Sequence, residues 1–162
     1  MSVLKRLVPV LLCCLLLCSG CGKAAADTPQ RQLSRITLEL RTGTRWGEYD
    51  PEQNGVPLLA EDGSICGGIE ILSDPSLQIG EDAAIVGWPQ SGSISRQTAL
   101  PAPGGVPCVA VLYQPQTGAA RWVALYQPTQ GGPVFAVWLA ADQFPYESFE
   151  AFALSANFTS AG

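Results

Sequence analysis

Apolar and polar positions alternate clearly at "SRITLELR", where Ile36, Leu38 and Leu40 are interleaved with Thr37, Glu39 and Arg41. That period of two predicts a strand with one buried face. A turn-rich stretch, "TGTRWGEYDPEQNGVP", follows. "ICGGIEIL" predicts a second strand, in which Gly67 and Gly68 mark a bulge or a close backbone approach, and "DAAIVGWP" predicts a third. The proline and glycine content of "QSGSISRQTALPAPGG" opposes regular structure, so this stretch reads as a loop with at most one short edge strand.

The strongest pattern lies between 107 and 140, "PCVAVLYQPQTGAARWVALYQPTQGGPVFAVWLA". Two copies of LYQP, at 112–115 and 125–128, each end a β-rich run at a turn, which predicts a three-stranded meander. With Gln114 opposite Ala119, Val111 faces Trp122, and a five-residue second loop sets Trp122 opposite Trp138. One face then carries Tyr113, Trp122, Tyr126 and Trp138 above small spacers, and the other carries Leu112, Val123, Leu125, Phe135, Val137 and Leu139. Both faces are apolar and need cover. One cover is predicted over 145–156, with Pro145 at the first helical position, Glu147 and Glu150 in the first turns, and Phe149, Phe152, Ala153 and Ala156 at helical spacing. The expected fold class is α+β, a mainly antiparallel sheet with a covering C-terminal helix.

The beginning of the chain has a different pattern. Lys5 and Arg6 precede an apolar run from Leu7 to Cys18, which is much shorter than the roughly 20 residues a membrane-spanning helix needs. Ser19, Gly20 and then Cys21 follow. This stretch resembles the bacterial lipoprotein signal, whose box ends in two small residues and the lipidated cysteine. It departs from that box in having Cys18 at the aliphatic position. The resemblance implies a signal peptide over 1–20, lipidation at Cys21 and a location on the extracytoplasmic face of a bacterial cell membrane. Residues 21–33 read as a tether, and 34–162 as one domain.

Removing residues 1–20 takes away Lys5 and Arg6 and no acid, leaving seven basic against fourteen acidic residues. Such a surface suits neither nucleic acid nor anionic headgroups. The expected partners are therefore the membrane, through the lipid, and an unknown protein or small ligand. Two thiols remain in the domain, Cys66 and Cys108. They either form a disulfide, restricting the unfolded chain by roughly 4 kcal/mol, or are buried free thiols.

Chemistry is sparsely provided. The chain has no histidine, and Lys23, the lysine left after residue 20, falls in the tether. Ser91, Ser93 and Ser95 consequently lack an evident activator. Glu61 with Asp62 and Glu81 with Asp82 read as solvated turn charges rather than an acid–base pair. Asp50, Glu52, Asn54, Gly55 and Glu61 have the spacing of a calcium loop, but Pro57 and the lack of flanking helices favour a plain turn. No cofactor or catalytic residue is expected.

"ITLEL", a turn with Trp46, "EDGSICGGIEIL", the late meander and a closing "FEAFALSANF" together resemble the PsbP-like α+β fold of small lipoproteins and secreted domains of Gram-positive bacteria, over about residues 34–158. At "LRTGTRW" the chain lacks the proline such domains often have before the aromatic residue. The resemblance implies a binding or assembly-stabilising module and carries over no functional residue. The reading is a lipid-anchored binding or accessory module without catalysis, its binding face centred on Tyr113, Trp122, Tyr126 and Trp138. The alternatives are a carboxylate-dependent hydrolase of the cell envelope and a structural subunit of a membrane complex.

Overall fold

Thr28 opens a short helix, α1 (Pro29–Leu33), by accepting the Arg31 N–H on its hydroxyl, with a proline in the first turn. Asp27 pairs with Arg35 at 2.8 Å, and Leu33 is buried. The last part of the expected tether thus forms a packed helix, because Leu33 has a place in the core. The computed structural model describes residues 27–72, 74–80, 82–87 and 91–159. The signal segment and Cys21 lie outside the described residues, as do Glu81 and Trp88.

Next come β1 (Ile36–Thr37), β2 (Arg45–Trp46), β3 (Gly55–Leu59), β4 (Ile65–Leu72), β5 (Gln78–Ile79) and β6 (Ile85–Val86). They are followed by β7 (Gly92–Leu100), β8 (Cys108–Pro115), β9 (Arg121–Tyr126) and β10 (Val134–Ala140), then α2 (Tyr146–Leu154) and β11 (Asn157–Phe158). Seven strands form one antiparallel sheet in the order β2-β3-β4-β10-β9-β8-β7, while β1 pairs with β11 and β5 with β6. The fold is therefore sheet-rich and mainly antiparallel, with a helix near its C-terminal end. The predicted meander is β8-β9-β10, and "ICGGIEIL" is β4. "ITLEL" pairs only at Ile36–Thr37, and "DAAIVGWP" only at Ile85–Val86.

Two expectations about the sheet need correction. The stretch read as a loop contains β7, nine residues long. Its signal is hidden because it is an edge strand whose side chains are largely exposed, and because a register shift between Ile94 and Arg96 interrupts the period of two. The meander register also differs by one residue. Val111 lies opposite Val123, and Trp138 opposite Val123 rather than Trp122. The first turn is wider than a Gln114–Ala119 closure allows, and the Gln114 amide spans it by donating to the Pro115 and Gly118 carbonyls. A one-residue slip exchanges faces. Trp122 and Tyr126 consequently share one side of the sheet, and Tyr113 and Trp138 the other.

On the first side α2 buries Phe149, Phe152 and Ala153 against Cys108, Ala124, Tyr126, Val137 and Leu139. Ala156, just beyond the helix, is buried with them. Pro145 sits at the N-cap rather than inside the helix. Trp122 stacks on Phe149 with ring centroids 6.1 Å apart and donates its indole N–H to the Phe144 carbonyl. Tyr126, fully buried, donates its hydroxyl to the Ala153 carbonyl at 2.7 Å.

The second side is covered by the segment around β5 and β6, whose Leu77, Ile79 and Ala83 pack with Val109, Val111, Val123, Leu125, Val134 and Ala136. Buried Gln127 fastens this cover to the sheet: its side-chain carbonyl accepts the Ile79 N–H, and its amide donates to Gln78 and to the Gly132 carbonyl. Covering both faces is what the apolar meander required.

Cys66 and Cys108 are free and buried, so the disulfide alternative falls. β4 and β8 are three places apart in the sheet. At about 4.8 Å per strand the separation is roughly 14 Å, twice what a bridge can span. Both thiols face the helix side, Cys66 as the extra residue of a bulge where Leu58 pairs with Gly67 and Leu59 with Ile65.

Candidate functional site

Arg121 opens β9 on the side away from α2, and its guanidinium lies over the Trp138 indole, 4.1 Å from the ring centroid. Trp138 can lie low because its neighbour across the ladder is Gly68. A Cβ there would stand 3.0 Å from the indole nitrogen. Tyr113 rests in the same way against Gly92, where a Cβ would come 2.5 Å from its ring, and its hydroxyl is 3.3 Å from that of Ser91. Tyr113 and Trp138 wall a groove of about 410 Å3 floored by Leu72, Val123 and Ala136 and rimmed by Gln116 and Thr117. That volume lies within the roughly 300–1,000 Å3 of small-molecule sites.

Glu70, half-buried on β4, also lines the groove. Burial pushes its carboxyl above the ordinary value of 4.5, and the Arg121 guanidinium draws it partly back. Among the described residues the two charges form no ion pair within 4.0 Å, and neither side chain makes a hydrogen bond to another described residue. A carboxyl raised in the folded state binds more protons there than when unfolded. Its contribution to stability is full below the unfolded pKa and is lost as pH rises through the folded one. Glu70→Gln is therefore expected to raise the melting temperature at neutral pH, the gain vanishing below 4.5. Thermal unfolding across that range checks this, and a gain independent of pH would contradict it.

Of the four aromatic residues expected on one face, Tyr113 and Trp138 meet at the groove. Tyr126 is core, and Trp122 is half-buried against α2. Tyr126 therefore offers no rim. Burial pushes its hydroxyl well above the usual range, and burial likewise pushes the adjoining Cys108 thiol up to about 12. Arg121 and Glu70 were missed by sequence reasoning. Each was signalled as a lone charge inside an otherwise apolar strand, "RWVALY" and "ICGGIEIL".

The remaining sequence candidates lie elsewhere. Asp50 accepts the backbone N–H groups of Glu52 and Gln53, closing a turn bridged to Gly55. From Gly55 the chain is extended for five residues, carrying Glu61 roughly 16 Å onward. The calcium-loop spacing is thus a turn followed by a strand. Asp62 accepts the Ser64 hydroxyl and N–H, which hold its carboxyl below the usual range. Asp82 caps the Ala84 N–H.

No protein-family model, curated protein or solved structure matches the chain.

Proposed function

We propose that this protein is a lipid-anchored, extracytoplasmic α+β module that binds a ligand or partner in the Trp138–Arg121 groove and catalyses no reaction. The observation that carries the binding reading is the groove itself. Two aromatic walls lie on glycines, and a cation and a carboxyl that form no ion pair among the described residues face one apolar floor. Unpaired charges over apolar surface are costly to keep, and a bound polar group offsets that cost. A carboxylate hydrolase would need a second acid working with Glu70. Asp50 lines the adjoining depression with Glu70 and Trp138, but its carboxylate is engaged by two backbone N–H groups.

The anchor reading rests on the Ser19-Gly20-Cys21 signal. A diacylglyceryl group at Cys21 supplies two acyl chains, enough for stable attachment where one is marginal. Cys21→Ala is expected to move the protein from the membrane to the soluble fraction, or to leave the signal uncleaved. Fractionation and intact mass decide this. A variant identical to wild type in both removes the anchor from the proposal.

A further inference from the structure

The groove's charges narrow what it can bind. Arg121 and Glu70 share one cavity lining yet stay further apart than an ion pair. At the surface, where a pair has only a structural role, Asp27 and Arg35 close to 2.8 Å. Arg121 instead lies over the Trp138 indole, its guanidinium carbon 4.1 Å from the ring centroid. A guanidinium lying over a ring still has N–H donors at its edge, and these can grip a carboxylate with two parallel hydrogen bonds. Glu70 is acceptor-only when ionised and is opposed by no described cation within bonding distance.

A plain anion on Arg121 would leave Glu70 uncompensated over an apolar floor, and a plain cation on Glu70 would do the same to Arg121. Either arrangement keeps one half-buried charge unmatched, which is the expensive case. A ligand carrying both charges matches both at once and adds no net charge. The floor of Leu72, Val123 and Ala136 then needs an apolar group against it.

We infer that the groove binds a small zwitterion, a molecule bearing an ammonium and a carboxylate together with an apolar group, with Arg121 taking the carboxylate, Glu70 the ammonium and the Tyr113–Trp138 cleft the apolar part. This rests on the groove being the binding site. Free amino acids with apolar side chains and short peptides of them share this chemistry, and the groove volume admits either.

The test is isothermal titration of the full chain, purified in detergent, with L-leucine, L-phenylalanine, their D-forms and the dipeptide Leu-Leu. N-acetylleucine, leucine amide and N-acetylleucine amide serve as probes lacking one or both charges. The indole N–H resonance of Trp138, assigned with Trp138→Phe, reports occupancy of the groove. The expected result is saturable binding of a free amino acid or of the dipeptide, whichever spans the two charges. Capping either end should weaken binding about tenfold or more. Glu70→Gln should weaken the zwitterion by a similar factor while leaving the N-acetyl form unharmed. Arg121→Gln should do the converse for the amide. Cooperative unfolding, with a melting temperature at or above that of the wild type for Glu70→Gln and close to it for Arg121→Gln, would show that these variants are folded. If N-acetylleucine amide moves the Trp138 resonance as strongly as leucine does, the zwitterion is overturned and the groove stands. If no probe moves it at millimolar concentration, both fall.

Discussion

Tyr126→Ala is expected to destabilise the fold by about 3–5 kcal/mol, the range for emptying a large aromatic site in a core. Tyr126 is fully buried between Cys108 and α2, and its ring lies 5.3 Å from that of Phe158. Tyr126→Phe isolates the hydroxyl. It removes the 2.7 Å donor from the Ala153 carbonyl, which keeps the Ala156 N–H at 3.2 Å, at a cost of about 0.5–1.5 kcal/mol. Trp138→Ala should behave differently although the residue is larger. One face of the indole is covered by an arginine and the other by a glycine, and the residue is half-buried. Its truncation is expected to cost about 1–2 kcal/mol, below the fully buried range, and to abolish ligand binding. Urea unfolding of the three variants gives the comparison. Equal losses for Tyr126→Ala and Trp138→Ala would mean that the two rings have the same environment, contrary to the one-residue register that separates them.

The adjacent glycines of β4 should also behave unequally. A Cβ on Gly67 would stand 2.5 Å from the Trp138 carbonyl oxygen and 2.7 Å from a Leu139 methyl. Backbone in the middle of a sheet cannot yield as a side chain can. Gly67→Ala is therefore expected to cost about 1–3 kcal/mol or more, as overpacking does. At Gly68 the nearest atoms are two of the Trp138 ring, at 3.0 and 3.2 Å, and the Val56 carbonyl oxygen, at 3.2 Å rather than the 2.5 Å of the backbone contact at Gly67. An indole at the groove can tilt by a few tenths of an ångström. Gly68→Ala should thus cost clearly less stability than Gly67→Ala while displacing the Trp138 indole resonance and weakening binding. Unfolding curves and the indole spectrum together check the pair. A Gly68→Ala loss as large as that of Gly67→Ala would contradict the geometry.

How much of this was legible in the sequence depended on what each signal measures. Apolar runs ended by turn residues identified β4 and the three strands of the meander, because these strands are buried and their runs are long, whereas the alternation at Ile36–Leu40 belongs to a strand of only two residues. Helical spacing likewise placed Phe149, Phe152 and Ala153 on the buried face of α2. Register was not legible. It is fixed by how many residues each turn consumes, and "QPQTGAA" closes one residue wider than its shortest solution. That single residue divided the aromatic quartet between two faces, sending Trp122 and Tyr126 to the helix and leaving Tyr113 and Trp138 with the groove. β7 escaped because an exposed edge strand has little apolar pattern to show, and a shift at Ser95 breaks what there is. Arg121 and Glu70 lie on different strands with two ladders to cross between them, so their proximity is a property of the strand order and not of either segment.

Asp27 shares a depression with Pro128 and Thr129, just beyond the Tyr126 end of β9, whereas Arg121 and the groove lie at that strand's opposite end. Five residue steps of extended chain separate the two ends, roughly 17 Å. On the proposed lipidation of Cys21, the six residue steps from it to Asp27 span at most about 20 Å, and the attachment would be nearer the end of the domain remote from its groove. On that proposal the attachment point and the mouth of the site lie at opposite ends of β9. A pull on such a tether would load α1 and the β1–β11 pair before it reached the groove.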